Sequence, residues 1–550
     1  MRLGNQTVGG WLRDRTALTP ERVAIDFDDR LISYAELAES VDRRVASFAV
    51  AGLRPGDRVA TLARNCPEQV EVLFACALTG LIMVPLSWRL TSAELAYQLA
   101  DAGPACLLAE PSLRPLATTA CQQAAVEPRI VPLTGPLVAP LAAAGAGAGD
   151  RTVADDDPLL ILYTSGTTGR PKGAVLTHAN CFWTNLSLDR TAPLSGDDVV
   201  LQVLPQCHVG GWNVQPLLAW WQGATVVLEQ GFDPARVLRL IAAKRVTTMM
   251  GVPTNYLMLA AQPGFADADL SSLRQVMVGG APMPRPLIET WLGRGVTVLQ
   301  GYGLTEAAPN VLCVPPEYAR GKAGSAGKPY LHVQVALRPF AADAPTPQPP
   351  QPALSPLPAL SPLPALSPLS PLSPLPPQAA PRRADRRPGD RRAADPRAER
   401  LRRLLAQPGG DRGCGRGRLA RHGDVAERDA DGFYWIRGRV KEMYISGGEN
   451  VYPAEVEEVL LAHPAVAEAA VIGIPDERWG ETGLAFVVLR PGCEMPPDDE
   501  LAGYCRTRLA AFKVPSRYRP IEQLPRLATG KLDKRALAHA LTAGTAADRG

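Results

Sequence analysis

The sequence predicts an α/β protein with a large, mostly parallel α/β body and a small α+β unit after it. Three observations carry that prediction. Short apolar runs of strand length recur through residues 1–300 with helix-like segments between several of them, the rhythm of strand–helix–strand units. After Asp424 the rhythm changes to short, closely spaced elements. Between the two lies 341–420, whose composition belongs to neither.

The elements follow in order. Leu37 to Val50 has helical spacing, Gly56-Asp57-Arg58-Val59 turns into a short strand, and Pro67 to Leu78 is a second amphipathic helix. Leu159 to Thr164 is a buried-type strand that ends in a Gly-rich loop. Strand-like runs recur at Val199–Leu204, Ala224–Leu228, Thr247–Met250, Gln275–Val278 and Val296–Leu299, with helices expected at Pro234–Lys244 and Pro284–Leu292. The small unit has a strand around Tyr444, a helix from Pro453 to Leu461, strands near Val471 and Phe486, and a helix from Asp498 to Ala511.

The chain has 550 residues, 46% of them hydrophobic and 21% charged, enough to build several structural units. No apolar run is long enough for a transmembrane helix. The start, Met1-Arg2-Leu3-Gly4-Asn5-Gln6, leads into no apolar core of a secretory signal. Ten cysteines without a Cys-x-x-Cys pair argue against a zinc site or a disulfide framework and fit a reducing cytoplasm. The net charge is +3, but residues 341–420 alone carry thirteen Arg against six acids, leaving the rest of the chain at about −4. A basic, nucleic-acid-binding body is therefore not indicated.

Residues 341–420 contain fourteen of the 54 prolines within their first forty positions, then turn Arg-rich. An Ala-Leu-Ser-Pro-Leu-Pro repeat begins at Ala353, and the stretch lacks Lys, His, Asn, Ile, Val, Met, Phe, Tyr and Trp. Such a composition predicts a polyproline-like and then disordered segment with no packed core. It reads as a linker or insertion, as a docking site for a PxxP-reading domain, or as a compensated reading-frame error, since all its residue types have GC-rich codons.

The strongest chemical signal is Tyr163-Thr164-Ser165-Gly166-Thr167-Thr168-Gly169-Arg170-Pro171-Lys172-Gly173. A strand delivers glycines, hydroxyls and a lysine into one turn. Backbone N–H groups approach an oxyanion where glycine clears the way, hydroxyls add donors, and lysine adds a point charge, which is what a polyphosphate requires. It is not a Walker A loop, because Lys172 follows proline and no Ser or Thr comes next.

This loop resembles that of the adenylate-forming superfamily, in particular its acyl-CoA synthetase branch, over roughly residues 20–340 and 421–540. Gln300-Gly301-Tyr302-Gly303-Leu304-Thr305-Glu306 resembles the family's second nucleotide motif. The resemblance implies that Tyr302 packs on adenine, Thr305 contacts the α-phosphate and Glu306 holds Mg²⁺. A lone acid beside a polyphosphate loop needs a cation between them, and Mg²⁺ takes carboxylate plus phosphate oxygens. Gly279-Gly280-Ala281 is similar to the strand end lining the adenine and acyl pocket. Asp424 matches the ribose-binding aspartate, Arg439 an arginine near ribose and phosphate, and Lys441 the hinge. Lys531 in Thr529-Gly530-Lys531 resembles the lysine that completes the adenylation site when a small mobile domain closes. Ser446-Gly447-Gly448 is similar to the segment lining the pantetheine tunnel. His208 resembles an aromatic gate of fatty acyl-CoA ligases, and the small apolar run Gly210-Gly211-Trp212 beside it, with no acid to hold an ammonium, disfavours amino-acid substrates.

The implied organisation is a large AMP-binding domain over 1–340, the low-complexity segment 341–420, the end of the large domain at 421–438 and a small domain over 439–550. The implied reaction is ATP-dependent activation of a carboxylic acid, fatty or otherwise hydrophobic, through an acyl-adenylate, with transfer to CoA. Mg²⁺, ATP and CoA are the cofactors and co-substrates, and homo-oligomerisation is left open. The alternatives are an acyl-AMP ligase that loads a carrier protein, or an impaired nucleotide- or acyl-binding homologue. The family pattern breaks before Asp424, where strands with Gly-Glu and Trp-x-x-Thr signatures are expected and His422 stands in place of Thr. Strands lost there predict an open sheet edge.

Overall fold

The computed structural model describes residues 4, 6–134, 152–164, 171–339, 402–407, 420–439, 442–446, 449–476, 479–527 and 532–547, with backbone alone at 338–339, 402–407, 420–422, 439, 449–450 and 542–547. The large N-terminal domain holds two principal sheets. The six-stranded one runs Arg129–Pro132, Cys106–Ala109, Arg58–Leu62, Ile82–Leu86, Pro158–Thr164, Lys172–Thr177, parallel except for its last pair. The nine-stranded one has a parallel centre, Thr297–Gly303, Gln275–Val278, Thr248–Gly251, Val199–Gln202, Thr225–Leu228 and Val23–Phe27, with antiparallel strands at both ends.

Parallel strands covered on both faces need continuous apolar runs rather than alternation. Ile82–Leu86 and Cys106–Ala109 are buried at every position for that reason. Three of the helices between strands start on reciprocal side-chain caps. Ser33 Oγ accepts the Glu36 N–H while Glu36 accepts the Ser33 N–H at 2.8 Å, and Thr91 with Glu94 and Thr177 with Asn180 repeat the exchange. Aromatic residues fill the space between the layers, and their polar ends are satisfied. Tyr34 Oη donates to Ala224 O at 2.7 Å and Trp220 Nε1 to Ala24 O at 3.1 Å.

A third sheet, Gln334–Pro339, Arg402–Gln407, Ala420–Arg428, Tyr434–Arg439, packs Ala426 and Tyr434 against Val311 and Leu312 of the nine-stranded sheet's strand Asn310–Cys313. Here the structure departs from expectation. Arg402–Gln407 lies inside the stretch read as lacking packed structure, yet it pairs antiparallel with Ala420–Arg428 through Arg402↔Ala426 and Ala406↔Ala420. A ladder is made by main-chain groups, so an Arg-rich run can join it without apolar side chains. It occupies the position where the sequence predicted an open edge. The proline repeat and the rest of 341–401 lie outside the described residues.

The small C-terminal domain is a five-stranded sheet built on the antiparallel pair Val466–Asp476 and Gly480–Leu489. Helices Pro453–Leu461 and Asp498–Arg506 cover one face around Val456, Leu460, Val471, Val487 and Leu501, and helix Lys534–Ala547 brings Leu537 to the other. The helix expected to reach Ala511 ends at Arg506. Thr507 Oγ1 and Arg508 Nη1 donate to Tyr504 O at 2.8 and 3.1 Å, taking up a carbonyl that another helical turn would have used. Among the described residues no helix is long and apolar enough to cross a membrane.

Candidate active site

The phosphate-binding reading starts at the hairpin Pro158–Thr164 and Lys172–Thr177, whose register sets Thr164 opposite Lys172. Both arms are fixed from helix Ser92–Ala102. Tyr163 Oη lies 2.7 Å from Asp101 Oδ2 and 3.1 Å from Gln98 O, and Tyr97 Oη donates to Pro171 O at 3.2 Å. Burial and the Asp101 carboxylate push the Tyr163 phenol well above its ordinary range, so it stays a neutral anchor. Ser165, Gly166, Thr167, Thr168 and Gly169 at the tip lie outside the described residues, and Lys172 is exposed.

Across the gap, strand Thr297–Gly303 and the turn Thr305–Ala307 carry the second motif. Thr164 Oγ1 donates to Glu306 Oε1 at 3.0 Å, so the two motifs, 142 positions apart, meet directly. The turn is tight. A Cβ on Gly303 would lie 1.9 Å from Pro309 O, so only glycine lets the chain fold back here. Thr305 is half-buried and Glu306 exposed. Gly279 is buried beside Gly301, while Gly280, at φ +80°, and Ala281 are exposed at the neighbouring strand end.

Tyr302 Oη donates to Asp424 Oδ2, joining the motif strand to the third sheet. Asp424 is buried and its backbone pairs with Arg439, whose side chain is not described. A carboxylate has about four lone-pair positions, so Asp424 can hold Tyr302 and still accept two further hydroxyls. The phosphate, ribose and metal readings thus converge on Thr164, Gly279, Gly301, Tyr302, Thr305, Glu306 and Asp424.

Three expectations are corrected. Gln300, read as nucleotide-binding, is buried and fully committed to protein: Oε1 accepts the Met283 N–H at 3.0 Å and Nε2 donates to Gly324 O and Ser325 O. It braces the 279–283 segment rather than meeting a ligand. Trp212, read as lining the acyl pocket, is fully buried in the large core with its indole donating to Gln206 O at 2.5 Å. Its neighbour Gly211 is a packing position too, since a Cβ there would lie 2.4 Å from Pro205 O. Ser446, read as part of the CoA tunnel, is buried and paired across to Gly480. His208 and Gly210 remain half-buried. Gly447, Gly448, Lys441 and Lys531 lie outside the described residues.

Other residues joined to this region were given no role by the sequence. Arg526, five positions before Lys531, donates from Nη1 to Thr254 Oγ1 at 3.2 Å and pairs with Glu468, tying the C-terminal strip to helix Pro253–Ala260 of the large domain. Asn65 and Gln206 brace the His208 segment from beneath.

Among the described residues no group of three His, Cys, Asp or Glu is placed to hold a metal ion. The site offers one exposed carboxylate, Glu306, beside the Thr164 hydroxyl. That donor set suits Mg²⁺, which keeps several waters and binds through one or two carboxylates plus a ligand's own phosphates.

The chain as a whole matches known proteins. Residues 12–350 match the AMP-binding enzyme family and residues 455–531 the AMP-binding enzyme C-terminal domain. The chain is 38% identical to a feruloyl-CoA synthase of an Amycolatopsis species, over 96% of this chain and 98% of that one. It is 35% identical to the indoleacetate–CoA ligase of Aromatoleum aromaticum, over 95% and 96%. Among solved structures, the o-succinylbenzoate CoA synthetase of Bacillus subtilis in complex with its acyl-adenylate superposes with a TM-score of 0.74 at 29% identity, covering 96% of this chain and 97% of that one. The same enzyme in complex with ATP and magnesium gives 0.73 at 29%, covering 95% and 98%.

Proposed function

The chain belongs to the AMP-binding enzyme family as an acid–thiol ligase that uses ATP, Mg²⁺ and CoA, and from that premise we propose that it activates a hydrophobic, ring-bearing carboxylic acid. A carboxylate is a poor electrophile because its leaving group would be oxide. Attack of its oxygen on the α-phosphorus of ATP expels pyrophosphate and forms an acyl-adenylate. The CoA thiolate then attacks the acyl carbonyl and AMP leaves. Neither step needs a covalent bond to protein, so positioning and charge neutralisation carry the catalysis.

In this reading Thr164, Lys172 and the glycines of 165–169 cradle the phosphates, and Thr305 reaches the α-phosphate. Glu306 would hold Mg²⁺, which would neutralise charge on the phosphates. Asp424 accepts the ribose hydroxyls while Tyr302, held by its bond to Asp424, presents its ring to adenine. Lys531 bridges carboxylate and α-phosphate, and Lys441 is the pivot about which the small domain brings Gly447 and Gly448 to the CoA arm. The observation that carries the reading is the Thr164–Glu306 hydrogen bond, which joins a phosphate loop to a metal-type carboxylate.

The choice of a ring-bearing acid is supported by relatives named for feruloyl and indoleacetate groups. A fatty acid, expected from the sequence, rests on the His208 resemblance and is the competing substrate. Specificity constants for a series of cinnamic, arylacetic and straight-chain acids decide between them. We expect kcat/KM for the best aryl acid to exceed that for the best fatty acid by about tenfold or more. The reverse order would return the substrate class to fatty acids.

A further inference from the structure

Beyond the C-terminal ends of the parallel strands, the two sheets of the large domain are joined by a reciprocal pair of buried carboxamides. Asn65 lies in the turn between strand Arg58–Leu62 of the six-stranded sheet and helix Pro67–Thr79, and is 3% exposed. Its Nδ2 donates to Leu204 O at 2.9 Å and to Glu229 O at 3.0 Å, and its Oδ1 accepts the Gln206 N–H at 2.8 Å. Gln206, 1% exposed, returns the bond by accepting the Cys66 N–H at 2.9 Å. Leu204 and Glu229 stand just past strands Val199–Gln202 and Thr225–Leu228 of the nine-stranded sheet.

Each side of the pair is held in turn. Gln69 donates to Arg64 O and accepts from Thr61 Oγ1, both at 2.9 Å, and the Arg64 N–H donates to Glu110 at 3.1 Å, which fixes the Asn65 turn. Gln202 Nε2 donates to Leu204 O at 2.8 Å and to Gly211 O at 3.2 Å, and the Trp212 indole donates to Gln206 O, which fixes the receiving segment. Only a carboxamide donates twice and accepts at once, so no apolar or charged residue of the same size can replace Asn65. Both donors and the acceptor of Asn65 are used, whereas Gln206 Nε2 is buried with no partner among the described residues. Burying this many polar groups adds little net stability, and the bonds that are made specify one arrangement of the chain. The arrangement specified is that of Leu204 to His208, at the strand ends where ligands gather in open α/β sheets.

We propose that the Asn65–Gln206 pair is a positioning latch that fixes the Leu204–His208 segment and thereby sets which carboxylic acids the enzyme selects. The inference rests on the reading of His208 as a wall of the acid pocket. Neither residue of the latch touches substrate; both act through the backbone of the segment they hold.

The test uses the full chain with Asn65→Ala and, as the milder change, Gln206→Ala, each checked for wild-type thermal unfolding. Acid-dependent pyrophosphate release gives KM for acid and for ATP across the acid series, and amide hydrogen exchange reports on peptides covering 203–212. The latch predicts that KM for the acid rises about tenfold or more while KM for ATP stays within about twofold, and that discrimination across the series flattens. It also predicts faster exchange at 203–212 with strands Val199–Gln202 and Thr225–Leu228 unchanged. An unchanged acid KM, or acid and ATP KM values rising together with a fall in Tm, overturns it. Wild type that activates no acid defeats the functional reading instead, and the exchange measurement then decides alone: unaltered exchange at 203–212 overturns the latch.

Discussion

In the proposed reaction Glu306 is the residue that would hold the metal. It is the exposed carboxylate at the meeting of the two nucleotide motifs, held by the Thr164 hydroxyl at 3.0 Å, and no cluster of metal ligands stands nearby among the described residues. Removing its charge while keeping its shape should therefore strike the metal-assisted step. Glu306→Gln is expected to lower acid-dependent pyrophosphate release by about 10²-fold and to raise the Mg²⁺ concentration needed for half-maximal rate, with Tm unchanged. A variant with the wild-type Mg²⁺ dependence would remove Glu306 from the metal site. Tyr302 and Asp424 are coupled in the same region by the hydrogen bond between them.

Single side chains also tie element to element. Helix His178–Thr191 opens on His178, which is fully buried and accepts the Val8 N–H of helix Val8–Leu18 at 3.2 Å through Nδ1. Burial lowers the His178 pKa to about 4, against smaller upward pulls from Asp157 and Asp155. The folded state thus excludes a proton that the unfolded chain binds below its ordinary value of about 6.5. The histidine's contribution is fully present above pH 6.5 and is lost as pH falls toward about 4. Unfolding free energies of wild type and His178→Asn, measured by denaturant titration from pH 7 to 5, should differ by a slope of up to about 1.4 kcal/mol per pH unit. Parallel pH profiles would contradict this.

At this scale the sequence was legible where burial is two-sided. The runs at Gln275–Val278 and Ala224–Leu228 show as strands because both faces are covered. Val23–Phe27 is buried at its three central positions, but Asp26 is one of them and breaks the apolar run, while Arg30–Ser33 at the sheet's end is exposed over its first half. Arg402–Gln407 was illegible for a different reason, since its pairing is made by backbone and its side chains announce nothing. The site divides likewise. Thr164, Tyr302, Glu306 and Asp424 lie in ordered motifs, whereas Asn65 and Gln206 are single amides whose partners stand 140 positions away. Gln300 belongs to a motif yet serves as a brace, a distinction that only its hydrogen bonds reveal.

For the molecule as a whole, the sheets bring the nucleotide motifs together, while the segment that carries Lys531 belongs to the small domain and is tied back through Arg526 to Thr254. A ligase of this plan separates its two half-reactions, one needing only acid and ATP, the other needing the thiol. The most direct measurement is therefore release of pyrophosphate and formation of thioester by the purified full chain with ATP, Mg²⁺ and the best-used acid of the series, with and without CoA. Pyrophosphate is expected only when the acid is present, and thioester and AMP only when CoA is added. Pyrophosphate release that ignores the acid, or an acyl-adenylate that CoA cannot discharge, would contradict that.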